Sequence, residues 1–244
     1  QFAKSPAELQ PDVDQKGLDS HYLSSSTFRD DREAIRGWFV RSLLKAGVWG
    51  SGLDTLLTAI RATLREQGAT RFPVEAVEAT MRSRGKGLRF EEEELEDLVD
   101  VAYGDRRAFP LLSLLFPFHD LRHEFHVDHF FPHSRFSESR LAKEGVSAEA
   151  RAEWIDRADR LANLQLLDGV LNKEKNAALP HDWLARALPE PDRRAAFIER
   201  HRLGRIPDSL LGFPDFYEAR RRDLLVRLRA LLGVPEPAVA AASS

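Results

Sequence analysis

The sequence predicts a mainly α-helical protein that carries one short β-hairpin in its second half. Apolar residues recur at helical spacing in segments that end at glycine or proline, such as "TFRDDREAIRGWFVRSLLKAG". Two other stretches, "FHVDHFF" and "ANLQLLDG", are short and rich in aromatic or aliphatic residues, and turn-forming residues close them. These observations indicate helices packed around a two-stranded element.

The first half of the chain is predicted to form helices only. Residues 27–47 place Ile35, Trp38, Phe39 and Leu43 on one stripe. The next segments are "SGLDTLLTAIRATLREQG", which begins at a serine, "FPVEAVEATMRS", with a proline in its first turn, and "EEEELEDLVDVAYG", with acids at its start. The apolar "RAFPLLSLLFP" follows, and we expect it to be buried. Residues 1–117 are therefore interpreted as a helical scaffold.

The second half is predicted to alternate strands and helices before it returns to helices. Between the two strands lies the helix "SAEARAEWIDRADRLA", capped by Ser147, and the second strand leads into the helix "VLNKEKNAA". Three further helical segments follow Pro180: "HDWLARAL", "PDRRAAFIERHR" and "PDFYEARRRDLLVRLRALLG". We therefore expect a polar central region at residues 118–182 and C-terminal helices at residues 183–244.

Composition limits the class of protein. The chain has 244 residues, 43% of them apolar and 31% charged, and no apolar run approaches the roughly 18 residues that a membrane span requires. We expect a soluble, cytoplasmic protein without a membrane partner. The absence of cysteine excludes disulfides, zinc–cysteine sites and thiol catalysis. Because the chain begins with "QFAKSPAELQ" rather than Met, we expect it to be part of a longer protein.

Charge is unevenly distributed although the net charge is only −3. Residues 190–233 contain ten arginines and seven acidic residues, whereas "EEEELED" forms an acidic run elsewhere. Two interpretations stay open: solvated helix faces, or an arginine surface that contacts phosphate.

The densest chemical stretch is "HEFHVDHFFPHS". Five of the eight histidines lie within fifteen residues there, at positions 119–133. The stretch is compatible with a metal cage, with a catalytic motif that uses one histidine, or with an aromatic core strand. The later asparagines Asn163, Asn172 and Asn176 favour the second interpretation, because they follow Asp128-His129 on a strand and a helix.

These residue types suit metal-dependent cleavage of a phosphodiester. Asp128 and Asn172 offer the hard oxygen ligands that a Mg²⁺-like ion prefers. His129 offers a neutral imidazole to take a proton from water, and Asn163 or a backbone carbonyl is a candidate to orient it. Lys173 or Lys175 is a candidate to supply positive charge near the phosphate.

The stretches "VDHFFPHSRF" and "LANLQLLDGVLNKEKNAALP" resemble the ββα-metal motif of HNH nucleases. The closer similarity is to the C-terminal nuclease module of GmrSD-type modification-dependent restriction enzymes, including SspE-like phosphorothioate-sensing defence proteins. It covers roughly residues 28–188, and the residues that match are Asp128, His129, Pro132, Asn163, Leu164, Leu166, Leu167, Asn172 and Asn176. Asn172 stands where the best-known HNH pattern has histidine.

The resemblance implies that residues 118–182 form an HNH core embedded in a helical domain. It implies a DNA endonuclease with His129 as general base, Asp128 and Asn172 as ligands of Mg²⁺ or Mn²⁺, and Asn163 as an orienting or structural residue. The implied partners are double-stranded DNA and an N-terminal nucleotide-hydrolysing, sensing domain that this chain lacks. One metal and one base imply that each catalytic event cuts one strand of the duplex. The implied biological role is restriction or antiviral defence.

Further residues are candidates for the cleft or for phosphate: Lys175, His126, His133 and Asn176. Neighbours on a regular strand point to opposite faces, so we predict a backbone irregularity near residues 128–131 that lets Asp128 and His129 share a site. Two alternative functions are a degenerate nuclease fold that binds DNA or docks proteins, and an RNA-cleaving toxin.

Overall fold

The computed structural model describes residues 22, 25–119, 123–168 and 175–236. The chain is mainly helical with a small two-stranded antiparallel sheet, which confirms the predicted mainly α class. It divides into two compact units, Gln1–Leu88 and Arg89–Ser244. Within the residues described, no helix combines the length and the apolar character needed to cross a bilayer.

The described part of the first unit contains three α-helices: α1 (Arg29–Leu44), α2 (Leu53–Gln67) and α3 (Val74–Arg82). Its core is formed by apolar side chains from these helices and the segments that join them: Trp38, Val48, Leu56, Ile60, Val77, Met81 and Leu88. The Trp38 indole N–H points at the Met81 sulfur, 3.2 Å away. This unit carries none of the predicted site residues.

The stripe predicted for α1 differs from the side chains that are buried. Phe39 and Leu43 are 49% and 39% exposed, whereas Trp38, Val40 and Leu44 are buried. Ser42 is also buried, because its hydroxyl donates to the Phe39 carbonyl and accepts from the Trp49 indole. Two sides of α1 are buried, and Phe39 and Leu43 lie on the exposed surface between those sides. The prediction of one apolar stripe that contains Phe39 and Leu43 was therefore wrong.

The second unit contains seven further helices around the hairpin in the part of it that is described. They are α4 (Glu92–Val99), α5 (Ala108–Leu115), α6 (Glu138–Lys143), α7 (Ala148–Ala158), α8 (Pro180–Ala187), α9 (Pro191–Arg200) and α10 (Phe213–Leu232). Helix α5 is buried as predicted, with Leu111, Leu112 and Leu115 inaccessible. The helix predicted at residues 170–178 lies outside the described residues, apart from its end at 175–178.

Strands β1 (Phe125–His129) and β2 (Leu164–Asp168) form the sheet. Their antiparallel register pairs Phe125 with Asp168 and His129 with Leu164. The ladder ends at His129 and the chain bends at residues 130–131, so the strand is shorter than the predicted "FHVDHFF". The regular pairing includes Asp128 and His129 and breaks only after them, at residues 130–131 of the predicted region 128–131.

Aromatic packing fixes the chain directly after β1. Phe130 and Phe131 are fully buried, whereas Phe125 at the start of β1 is only partly buried. The Phe130 ring stacks on Phe216 of α10 with centroids 5.2 Å apart, and Phe131 meets Phe213 edge-on at 5.3 Å. Because two large side chains are anchored in the core, the end of β1 has little freedom to move.

The acidic run and part of the arginine cluster neutralise each other. Arg221 of α10 binds Glu96 at 2.7 Å and Asp100 at 2.8 Å, and Arg229 binds Glu92. Arg220 is buried and donates to the Ala162 carbonyl. Three of the clustered arginines therefore make contacts within the protein. They are not available for the phosphate-contacting surface that was one of the two interpretations of this cluster.

Candidate active site

Asn163 holds the turn that follows β1. It is fully buried, its Oδ1 accepts from the Phe131 backbone N–H at 2.8 Å, and its Nδ2 donates to the carbonyls of Phe131 and Ala158 at 3.0 and 2.7 Å. The Phe130 backbone N–H also donates to the Asn163 carbonyl, at 2.6 Å. Asn163 therefore positions backbone, and its described hydrogen bonds do not include the His129 imidazole that it was a candidate to orient.

The partner of the His129 imidazole is Asp159, which sequence analysis did not identify. His129 Nε2 lies 2.7 Å from Asp159 Oδ1, and the His129 side chain is 14% exposed. A carboxylate can only accept, so Nε2 carries the proton and Nδ1 keeps its lone pair. No described residue forms a hydrogen bond with Nδ1. The arrangement fixes one tautomer and leaves one ring nitrogen basic.

The environment of His129 favours the neutral ring. Burial lowers the pKa of His129 below its ordinary value, while the hydrogen bond and the charge of Asp159 act in the opposite direction. The net direction is downward, so the imidazole is neutral at neutral pH. A neutral, oriented imidazole is the form that accepts a proton.

Backbone contacts with residues 101–103 position Asp159. It caps the C-terminus of α7, and its backbone carbonyl accepts from the Tyr103 N–H at 2.7 Å. Beside it, Ala102 forms a bridge with Arg160, and the Leu161 N–H donates to the Val101 carbonyl at 2.9 Å. These contacts fix the backbone of Asp159 and of the two residues that follow it.

Two further rings lie against the imidazole. The Tyr103 ring centroid is 4.4 Å from that of His129, and the His133 ring is 5.4 Å away. His133 Nε2 lies 3.6 Å from Asp159 Oδ2, and half of the His133 side chain is exposed. The candidate His133 is therefore at the site, whereas His126 is an exposed strand residue whose ring lies 3.5 Å from Glu124.

Asp128 is held by a buried lysine and a glutamine. Its Oδ2 accepts from Lys175 Nζ at 2.6 Å and from Gln165 Nε2 at 3.0 Å. Gln165 is the residue directly opposite Asp128 in the sheet register, so both side chains lie on one face. Lys175 also donates to the His129 carbonyl, and it thereby ties the side chain of Asp128 to the backbone of its neighbour.

The position of Lys175 changes its expected role. Its side chain is 1% exposed, and burial lowers its pKa while Asp128 opposes that effect. The ammonium lies inside the protein and is not presented to a phosphate. Asn176, the other candidate on this segment, is exposed and has a left-handed backbone with φ 47°, a conformation common where a helix ends.

The oxygens near Asp128 fit a hard divalent cation in part. Asp128 Oδ1 accepts no hydrogen bond from the described residues, and Gln165 Oε1 is buried and also lacks a described partner. Carboxylate and amide oxygens are the donors that Mg²⁺ prefers. The second expected ligand, Asn172, and the candidate Lys173 lie outside the described residues, within which no cluster of three acidic, histidine or cysteine side chains could hold a metal.

Comparison with known proteins does not assign the chain to a family. No protein-family model matches the sequence, and no curated protein matches it.

Proposed function

We propose that this chain is a metal-dependent DNA endonuclease of the HNH type that makes single-strand nicks in duplex DNA. The observation that carries the proposal is the state of His129. Its Nε2 is bound to Asp159 at 2.7 Å, its pKa is lowered by burial, and its Nδ1 has no described hydrogen-bond partner. These are the properties of a general base that accepts a proton from water.

The residues around His129 have complementary roles in this proposal. His129 Nδ1 takes the proton of the attacking water, and the Asp159 carboxylate stabilises the imidazolium that forms. Asn163 and the buried Phe131 keep the end of β1 in place during the reaction. Lys175 and Gln165 fix Asp128 by its Oδ2 and leave Oδ1 available.

Asp128 and Asn172 are the residues that would hold a divalent metal, Mg²⁺ or Mn²⁺. When bound, the metal supplies Lewis-acid stabilisation of charge on the phosphate. With one general base, each catalytic event cuts one strand. Duplex DNA is the proposed substrate, and the cytoplasm is the proposed location.

The biological setting rests on the resemblance of "VDHFFPHSRF" and "LANLQLLDGVLNKEKNAALP" to GmrSD-type nuclease modules. We propose that residues 118–182 form the HNH core, embedded in helices. The chain would be the effector module of a bacterial restriction or anti-phage protein, and a separate sensing domain would select the DNA.

One observation favours a second candidate function, a degenerate fold that binds DNA or docks a protein. The Lys175 ammonium already neutralises Asp128, at 2.6 Å from Oδ2. In a module that binds no metal, the only role of the Asp128 carboxylate would be to pair with Lys175. Mn²⁺ titration calorimetry separates the two candidates: the nuclease binds the ion and Asp128→Asn weakens binding, whereas the module shows no saturable binding.

The nicking of supercoiled plasmid tests the enzyme directly. We expect relaxation in Mg²⁺ or Mn²⁺, none in EDTA, and strong loss in Asn172→Ala. His181→Ala is the matched control, because His181 is half exposed on α8. Nicking that is unaffected by EDTA contradicts the metal requirement, and cleavage of RNA but not of DNA identifies the toxin instead.

A further inference from the structure

The Tyr103 ring is an exposed aromatic side chain at the candidate site. Tyr103 is 51% exposed although its ring contacts the His129 imidazole at 4.4 Å between centroids, with an interplanar angle of 37°. One part of the ring therefore meets the proposed general base, and the rest faces solvent. Scattered exposed apolar residues are ordinary, so exposure alone does not assign a role.

The position of Tyr103 is fixed by its backbone. Its N–H donates to the Asp159 carbonyl at 2.7 Å, and the preceding Ala102 is bridged to Arg160. Gly104 then turns the chain with φ 83°, a conformation that glycine adopts without strain. An exposed aromatic ring on a fixed backbone is preorganised for binding, because little conformational freedom is lost when a ligand covers it.

Charge near Tyr103 suits a nucleic acid. Arg106, three residues further along the same turn, is exposed, whereas the neighbouring Arg107 is held by Asp105 at 2.8 Å. The turn therefore carries an exposed aromatic ring and an exposed cation three residues apart in the sequence. Aromatic rings and basic side chains are the elements with which proteins bind single-stranded nucleic acid.

We propose that Tyr103 stacks on the nucleobase next to the cleaved phosphate, and that the site prefers DNA in which this base is unpaired. This inference rests on the proposed endonuclease function of His129. A base inside a duplex already has both faces covered by its neighbours, so only an unstacked base can offer a face to Tyr103. Supercoiled, mismatched and single-stranded DNA meet this requirement better than relaxed duplex does.

The test uses a short thymidine oligonucleotide with 2-aminopurine at its centre, because stacking quenches the fluorescence of that base. Binding is measured in EDTA, and again with Ca²⁺ in place of Mg²⁺. We expect quenching by the wild-type chain and by Tyr103→Phe, which keeps the ring. Tyr103→Leu should lose the quenching and bind about tenfold or more weakly, the usual effect of removing one stacked base.

The matched control is Phe109→Leu, which removes another exposed aromatic ring of the same unit and should behave as wild type. Competition with a relaxed duplex measures the preference for unpaired DNA, and Tyr103→Leu should reduce that preference. Wild-type quenching by a folded Tyr103→Leu variant under both conditions overturns the stacking role.

The same proteins are then assayed for plasmid nicking. Nicking with quenching that does not depend on Tyr103 refutes the inference and leaves the proposed endonuclease standing. Quenching that depends on Tyr103 in a chain that never nicks supports stacking and refutes the endonuclease.

Discussion

The His129 imidazole and the Asp159 carboxylate lie 2.7 Å apart, between Nε2 and Oδ1, at the end of the β1–β2 hairpin. They are 30 residues apart in the sequence, and the hydrogen bond from the Phe130 N–H to the Asn163 carbonyl joins the two chain segments beside them. The contact fixes the tautomer of the ring. It is the basis for assigning His129 Nδ1 as the atom that accepts a proton.

Replacing Asp159 tests this contact. We expect Asp159→Ala to lower the kcat of plasmid nicking about 10- to 100-fold, because the imidazole loses its orientation and the partner of its charged form. KM for DNA should change little, since in the proposed mechanism Asp159 acts on the His129 imidazole and not on the substrate. Glu149→Ala, which removes an exposed carboxylate at the start of α7, is the control. Equal losses in both variants argue against a specific role for Asp159.

Asn163 should be important for stability as well as for activity. Its side chain makes three hydrogen bonds to the backbone, and Asn163→Ala leaves buried polar groups unsatisfied. We expect the free energy of unfolding to fall by about 2–4 kcal/mol. The amide of Phe131 should exchange with solvent faster, because it donates to Asn163 Oδ1. Unchanged exchange at Phe131 contradicts the assigned bond.

Removing the charge of Lys175 should destabilise the hairpin end. Lys175→Met leaves the Asp128 carboxylate without its buried cation, at a cost of about 3 kcal/mol in the free energy of unfolding. The double variant Lys175→Met/Asp128→Asn should regain much of that loss, since no unpaired charge is left. Urea titration of the two single variants and the double variant measures the coupling. Additive losses contradict the ion pair.

His201 predicts a pH dependence of stability that is separate from the site. Burial lowers the pKa of His201 to about 3, with His119, Arg220 and Arg200 nearby adding to the effect. Its ring stacks on Phe197, with centroids 4.0 Å apart. The unfolded chain binds a proton at this residue below about pH 6.5, while the folded chain does not until about pH 3. This contribution is therefore complete above pH 6.5 and declines as the pH falls.

The variant His201→Phe should lack this part of the pH dependence. Between pH 6 and 4 the stability of the wild type should fall more steeply than that of the variant, by about 1 kcal/mol per pH unit. Thermal unfolding across this range measures the difference. Parallel curves for the two proteins show that His201 titrates normally in the folded chain.

Features that depend on local sequence were predictable. Helix α5 followed from an apolar run between prolines, and the strands followed from short aromatic and aliphatic runs that end at turn residues. The stripe on α1 was not predictable, because Ser42 is buried through hydrogen bonds that periodicity does not report.

The contacts of the candidate site depend on tertiary structure. Lys175 lies 47 residues from Asp128 in the sequence, so their ion pair was not predictable from local sequence. The position of Lys175 near the motif indicated a contact with phosphate instead. Asp159 directly follows the amphipathic helix α7, and nothing in its local sequence distinguishes it from its neighbours. Tyr103 is equally inconspicuous until the bridge between Ala102 and Arg160 brings it to His129.

His129 is the proposed general base of a DNA endonuclease. The most direct measurement is the rate of plasmid nicking in Mg²⁺ by His129→Ala, with circular dichroism to show that the variant is folded. We predict a loss of at least about 100-fold relative to wild type and to His181→Ala. Nicking by folded His129→Ala at the wild-type rate contradicts the claim.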